Sequence, residues 1–366
     1  MLPNPTITAA ATRQSPGSTV EDIDAPLIEK NAQLINPELE GTAPTNSRRN
    51  RQAAASNINV PLPQQTGSSS DGNTTGGDGG QATGVGDIKF PSGCLSVHGY
   101  GIGVDYDSPP AALTNAMGAK PCVYGRYVDY KQGITAQDLT AGDGVTNANS
   151  IGTIYMLSLK TATYPTGQAA VALAKAVNSM AAGVTEGVWL RLGFEMTIRG
   201  PESNWPNDPT TYKRMWMDLY PALDKAKVKA FWCANPPTTD KFPDQNWNDL
   251  SWMTNWFPGA NYVDIVGLDT YAASGGSPKF RDGLAPIFCE TFGKNKAVFI
   301  GELGVSGGGS DQAKLDWATQ ALGTDVKGSN WCPNYIGYAW FEISKSEGQF
   351  QAASNGILAK AVKAAA

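Results

Sequence analysis

The chain has one histidine, His98, among 366 residues. A single imidazole cannot build a multi-histidine metal site, and it leaves a serine–histidine triad with no second candidate. The five cysteines, Cys94, Cys122, Cys233, Cys289 and Cys332, are odd in number and show no metal-ligand spacing. Cys122 and Cys233 sit in apolar runs expected to be buried strands, so mostly free thiols are expected, with one bridge allowed. No apolar run approaches the ~20 residues of a membrane span. No lysine- or arginine-led apolar segment opens the chain, so no secretory signal is read there. The net charge is −5 and there is no basic stripe, which argues against nucleic acid or an anionic membrane as partner.

Large aromatics are missing from one end. Residues 1–90 hold no tryptophan or tyrosine, and their one phenylalanine is Phe90 at the boundary. Such a segment cannot offset its ordering entropy by burial. A disordered low-complexity tail and linker is expected over 1–90, and one globular domain over 91–366. That domain, roughly 275 residues, has the size of a single α/β barrel. Within the tail, Ser47-Arg48-Arg49-Asn50-Arg51 reads as a protease site or a solvated charge run. Asn73-Thr74-Thr75 fits a glycosylation sequon in a secreted chain.

Past Phe90, short apolar runs alternate with longer amphipathic ones. The runs cover 94–98, 121–128, 152–159, 187–196, 228–233, 263–269, 297–302 and 335–341. They start about 27 to 40 residues apart, room for a strand, a helix and two loops. Helices are expected over 168–182, from Asp208-Pro209 to 225, over 278–292, from Ser310 to 322, and over 357–365. Eight strands with about eight helices predict a (β/α)8 TIM barrel. The competing open sheet needs a phosphate loop after the first strand. Gly99-Tyr100-Gly101-Ile102-Gly103 lacks that spacing.

In such barrels chemistry gathers where strands end. Those ends read His98, Asp129, Glu195, Asp269 with Tyr271, Glu302, and Trp340 with Glu342. Carboxylates and aromatics dominate. In the run ending at Glu195, strand alternation puts Arg191, Gly193 and Glu195 on one face, and buried charges there point to a polar pocket. Glu195 and Glu302 each close an apolar run, and two carboxylates at one mouth can divide glycosidic-bond cleavage: one gives a proton, the other attacks carbon or activates water. Tryptophans suit sugar faces. Trp216 and Trp252 have core spacing, whereas Trp205, between Asn204 and Pro206, reads as a loop platform.

Trp189-Leu190-Arg191-Leu192-Gly193-Phe194-Glu195-Met196, Val263-Asp264-Ile265-Val266-Gly267-Leu268-Asp269-Thr270-Tyr271 and Phe299-Ile300-Gly301-Glu302-Leu303-Gly304 resemble glycoside hydrolase family 26, a clan A family of (β/α)8 barrels. The likeness runs over about residues 93–366. It implies a retaining β-glycanase, commonly a β-mannanase, with Glu195 as acid/base and Glu302 as nucleophile. It implies further that Arg191 is the family's arginine before the acid/base, Tyr271 the tyrosine beside the nucleophile, and Trp340 the tryptophan under the cleaved sugar. Phe194 stands where the family has histidine, and Thr197 where it has asparagine. The expectation is a secreted or surface endo-β-glycanase, monomeric, acting on mannan or a related β-glucan or xylan, with no cofactor or metal. His98, Trp205 and Asp269 join Arg191, Tyr271 and Trp340 as expected sugar contacts. The alternative is a catalytically impaired barrel that binds carbohydrate or a partner.

Overall fold

Seven of the eight apolar runs, together with the stretch that follows the first run, close into one parallel barrel. The computed structural model describes residues 88–366 except 106–109, 141, 199–205, 238–243, 274–278, 325, 327–330 and 347. The barrel strands are β2 (Tyr100–Asp105), β3 (Val123–Asp129), β4 (Ile154–Lys160), β5 (Val188–Leu192), β6 (Val228–Ala234), β7 (Ile265–Ala272), β8 (Ala297–Val305) and β9 (Tyr335–Phe341). Each pairs with the next, and β2 pairs with β9 to close the ring. The fold is the expected (β/α)8 barrel. The expected tail, with its basic cluster and sequon, lies outside the described residues apart from 88–90.

The first strand differs from expectation. Instead of 94–98, the glycine-rich Tyr100–Asp105 enters the barrel. Ser96–Val97, β1, folds back antiparallel on it, across a turn at His98 (φ 53°) and Gly99 (φ 79°). Glycine is needed on the inward face of β2, because Phe90 plugs the barrel floor. A Cβ on Gly101 would lie 2.5 Å from the Phe90 ring. That ring packs on Trp189 and Phe299 at 5.9 and 6.4 Å between centroids.

The helices follow the apolar spacing. They are α1 (Pro110–Met117), α2 (Ala136–Thr140), α3 (Gly144–Ile151), α4 (Gln168–Ala181), α5 (Pro209–Leu219), α6 (Ser251–Thr254), α7 (Phe280–Gly283), α8 (Pro286–Thr291), α9 (Asp311–Ala321) and α10 (Ile357–Ala365). Asp208 caps α5 by accepting from the Thr211 N–H at 3.0 Å, with Pro209 at the first helical position. Ser310 caps α9 in the same way. The helix expected over 278–292 is two, because Pro286 forces Ala285 into extended backbone. Trp216 and Trp252 are core, as their spacing indicates.

Two apolar layers result. Val123, Ile154, Met156, Trp189, Phe231 and Phe299 fill the barrel interior. The alternate strand positions, among them Leu190, Trp232, Tyr338 and Trp340, pack under the helices.

The cysteines pair more than expected. Cys94 bridges Cys122, and Cys289 bridges Cys332; Cys233 is a buried free thiol. The first pair meets because Cys94 lies alongside Lys120, two residues before Cys122, in a parallel bridge. Spacing along the chain carries no trace of that neighbour.

Candidate active site

The site sits at the C-terminal mouth of the barrel and is built on the ends of six strands, β3 to β8. Arg191 on β5 is fully buried and points inward. Its guanidinium donates to Ser158 Oγ on β4 (3.0 Å), to Glu302 Oε1 on β8 (2.7 Å) and to Asp269 Oδ2 on β7. Burial opposes its charge, yet Asp269 and Glu302 beside it hold its pKa above the ordinary value. An uncompensated charge could not sit there.

Glu302 faces inward because β8 carries a bulge. Val266 pairs with Val298, but Asp269 pairs with Glu302, so β8 spends one residue more than β7 between those pairs. Against β9 it spends one more between Ile300 and Leu303. The extra residue lets Gly301 and Glu302 both turn inward while Leu303 returns to the helix side. Three donors then converge on the carboxylate. Tyr127 Oη on β3 donates to Oε1 (2.8 Å), Arg191 Nη2 to Oε1, and Tyr271 Oη on β7 to Oε2 (2.6 Å). Burial and the neighbouring carboxylates raise the pKa of both phenols, so they remain donors.

Glu195 arrives differently from the expected extended strand. β5 ends at Leu192, and Gly193 (φ 59°) and Glu195 (φ 58°) take left-handed backbone. The Glu195 N–H bonds Cys233 O at the end of β6 (3.0 Å). The turn brings Phe194 and Glu195 both to the mouth, where strand alternation would have split them. A non-glycine residue held at positive φ costs energy that neighbouring bonds must offset, and such residues cluster at functional sites. Asn235, just after β6, donates Nδ2–H to Glu195 Oε1 (2.8 Å). Thr197 holds that asparagine through Asn235 N–H to Oγ1 (3.0 Å). Burial first, then the charges of Glu302 and Asp269, push the Glu195 pKa well above the carboxylate range.

Single oxygens of Glu195, Asp269 and Glu302 lie within 4.8 Å of one another. A cation could use three such oxygens, but here Arg191 already answers two of the three carboxylates. Cys233, its pKa raised by burial and by Asp269, donates its S–H to Asp269 Oδ1 (3.1 Å). The group is one carboxyl whose pKa is raised, facing another that accepts three hydrogen bonds.

The structure brings Glu195, Glu302, Arg191, Asp269 and Tyr271 together. His98 lies elsewhere, exposed in the turn before β2, with Nε2 2.6 Å from Ala365 O. Asp105 takes the strand-end position expected for it, because the true first strand starts later. Trp340 also lies elsewhere. Alternation on β9 turns it under the helices, its indole N–H bonded to Phe350 O (2.8 Å), and turns Phe341 to the mouth beside Tyr127 and Tyr271. Trp205 is outside the described residues. Glu342 is structural: it accepts from the backbone N–H groups of Ala352, Ala353 and Ser354 and so pins the loop after β9. Tyr127, Asn235 and Phe341 were not singled out from sequence. Tyr127 was findable, two residues before the strand-end Asp129 and hence on the same face.

Among known families, the sequence model of Glycosyl hydrolase family 26 matches residues 185–297. The match holds Arg191, Glu195, Asp269 and Tyr271 and stops at Ala297, before Glu302. No curated protein matches in sequence. Among solved structures, a modular endo-β-1,4-mannanase from Cellulomonas fimi is similar at 17% identity and TM-score 0.51, over 72% of this chain and 70% of that one. The catalytic domain of an endo-β-1,4-mannanase from Bacillus sp. JAMB-750 matches at 17% identity and TM-score 0.51, over 72% and 85%. At these identities the structural likeness speaks for the barrel. With the family match, the chain is assigned as family 26-like, a glycoside hydrolase.

Proposed function

We propose that the protein is a retaining endo-β-glycanase, with Glu195 as acid/base and Glu302 as nucleophile. The observation that carries this is the unequal treatment of two carboxylates at one mouth. Glu195 is buried against like charge with its pKa raised, while Glu302 takes three donors. Their oxygens lie within 4.8 Å. Retaining pairs sit about 5–5.5 Å apart, too close to seat an attacking water between them.

Glu195 gives its proton to the glycosidic oxygen as Glu302 attacks the anomeric carbon and forms an ester. Water then gives a proton back to Glu195 and attacks that carbon, and Glu302 leaves as carboxylate. Two inversions retain configuration. Tyr271 and Arg191 hold the nucleophile, and Asp269 holds Arg191. The solved structures of similar fold are endo-β-1,4-mannanases, which supports β-mannan as the first substrate to try. Two disulfides support an oxidising setting, hence action outside the cell or at its surface.

The test is reducing-sugar release from mannan, xylan, β-1,3-glucan and β-1,4-glucan by the wild type and by Glu302→Gln. Release from at least one glycan by the wild type and none by the variant is expected. Glycan binding without release by the wild type, or unchanged release by Glu302→Gln, would overturn the reading.

A further inference from the structure

Tyr127 donates to Glu302 from β3, three strands round the ring from β8 and on the other side from Arg191 on β5. Each carboxylate oxygen has two lone-pair directions. Glu302 Oε1 accepts from Tyr127 (2.8 Å) and Arg191 (2.7 Å), which fills it. Oε2 accepts from Tyr271 at 2.6 Å and keeps one direction open among the described residues. The Tyr127 ring is gripped by Phe194 (centroids 5.7 Å) and Phe341 (6.5 Å), so its hydroxyl is aimed rather than free to rotate away.

We infer that Oε2 is the attacking oxygen of Glu302, and that Tyr127 is a positioning residue that holds Oε1 and speeds the second half of the reaction. The inference rests on the proposed function. In the first half, the Oε2–carbon bond forms as the glycosidic bond breaks, and the carboxylate charge is lost into the ester. In the second, water attacks the carbon, its proton goes to Glu195, and the Oε2–carbon electron pair returns to Glu302. A hydrogen bond to Oε1 is strongest when Glu302 is an anion. It therefore stabilises the starting carboxylate more than the first transition state. It also stabilises the second transition state more than the ester. Losing it leaves the first half as fast or faster and slows the second.

The variant is Tyr127→Phe, which keeps the ring packing. The probe is 2,4-dinitrophenyl β-mannobioside, or the β-cellobioside if the glycan panel selects glucan. Rapid mixing is expected to show a burst of phenolate at least as fast as in the wild type. The steady-state rate after it should be on the order of 10- to 100-fold lower, the scale of a hydrogen bond to a charged group. KM should fall with kcat, and added methanol, an alternative acceptor, should restore part of the rate. Equal slowing of burst and steady state, or no change in either, overturns the inference. A second measurement needs no variant. The wild-type crystal structure trapped with the matching 2-deoxy-2-fluoro glycoside should show the sugar on Oε2 and Tyr127 Oη on the ester carbonyl oxygen. A sugar on Oε1 overturns it. If that reagent labels no peptide containing Glu302, the proposed function itself fails, an outcome distinct from the others.

Discussion

The ring of Phe194 covers the guanidinium of Arg191, with Cζ 4.1 Å from the ring centroid. The residue that departs from the family pattern thus seals the charged network that the proposed chemistry needs. A planar cation over an aromatic face is attracted by the ring, more so when water is shut out. The same ring excludes solvent from the mouth, and burial is the largest cause of the raised Glu195 pKa.

Phe194→Ala should therefore move the alkaline limb of kcat/KM to lower pH. Glu195 must be protonated to act as acid. Water admitted beside it favours its charged form and lowers its pKa. The pH profile of kcat/KM on an aryl glycoside measures the shift, and an unmoved limb counts against the argument. The lost packing should also cost ~3–5 kcal/mol of stability, the usual range for a buried phenylalanine.

Glu195 should make the fold pH-sensitive. Its folded pKa lies above its unfolded value, so the native state holds the proton more tightly. That contribution is fully present below the unfolded pKa, near 4.5, and is lost as pH rises through the folded pKa. Glu195→Gln removes the ionisable group while keeping its shape. Its Tm should match the wild type at pH 4 and exceed it at pH 8, read by thermal unfolding at both. A lower Tm than wild type at pH 8 would contradict the burial argument.

Gly301→Ala should disable the site from beneath. A Cβ there would lie 2.6 Å from Asp269 Oδ1 and Cys233 Sγ and 2.9 Å from Arg191 Nε. The network must shift, at a cost of ~1–3 kcal/mol for overpacking. Turnover should fall at least ~10-fold, because small misplacements of reacting groups are costly. Tm and kcat on one preparation check both effects.

The disulfides should contribute to stability without touching the chemistry. Bridges with separations of 28 and 43 residues should each be worth about 3.5–4 kcal/mol by loop closure. Thiol titration of the denatured, unreduced chain should give one thiol, Cys233, and five after reduction. Replacing Cys94 and Cys122 by serine should lower Tm and leave kcat unchanged well below it.

Much of the architecture was legible because strand and helix periodicity is local. Seven of the eight barrel strands, the Asp208 and Ser310 caps and the buried Trp216 and Trp252 all follow from neighbours a few residues apart. The misread first strand shows the limit. Gly101 in Tyr100–Asp105 leaves room for Phe90 beneath the barrel, a contact across the floor that no window along the chain contains. Trp340 shows another. Its type fitted a sugar platform, yet a one-residue difference in phase on β9 gives that face of the mouth to Phe341.

The sequence by itself determined that carboxylates and aromatics, with a single histidine, would stand where the apolar runs end. It also determined that Glu195, Asp269, Tyr271 and Glu302 would stand at run ends, with Arg191 four residues before Glu195, since position along a run is set by pattern. Only the tertiary structure decided which way they face. The bulge in β8 turns Glu302 inward, and two left-handed residues after β5 bring Glu195 to it. Tyr127 reaches Glu302 from β3, and Phe194, beside Glu195 in the turn after β5, covers Arg191. Orientation depends on register between strands distant in the chain, and register is a property of the closed barrel as a whole.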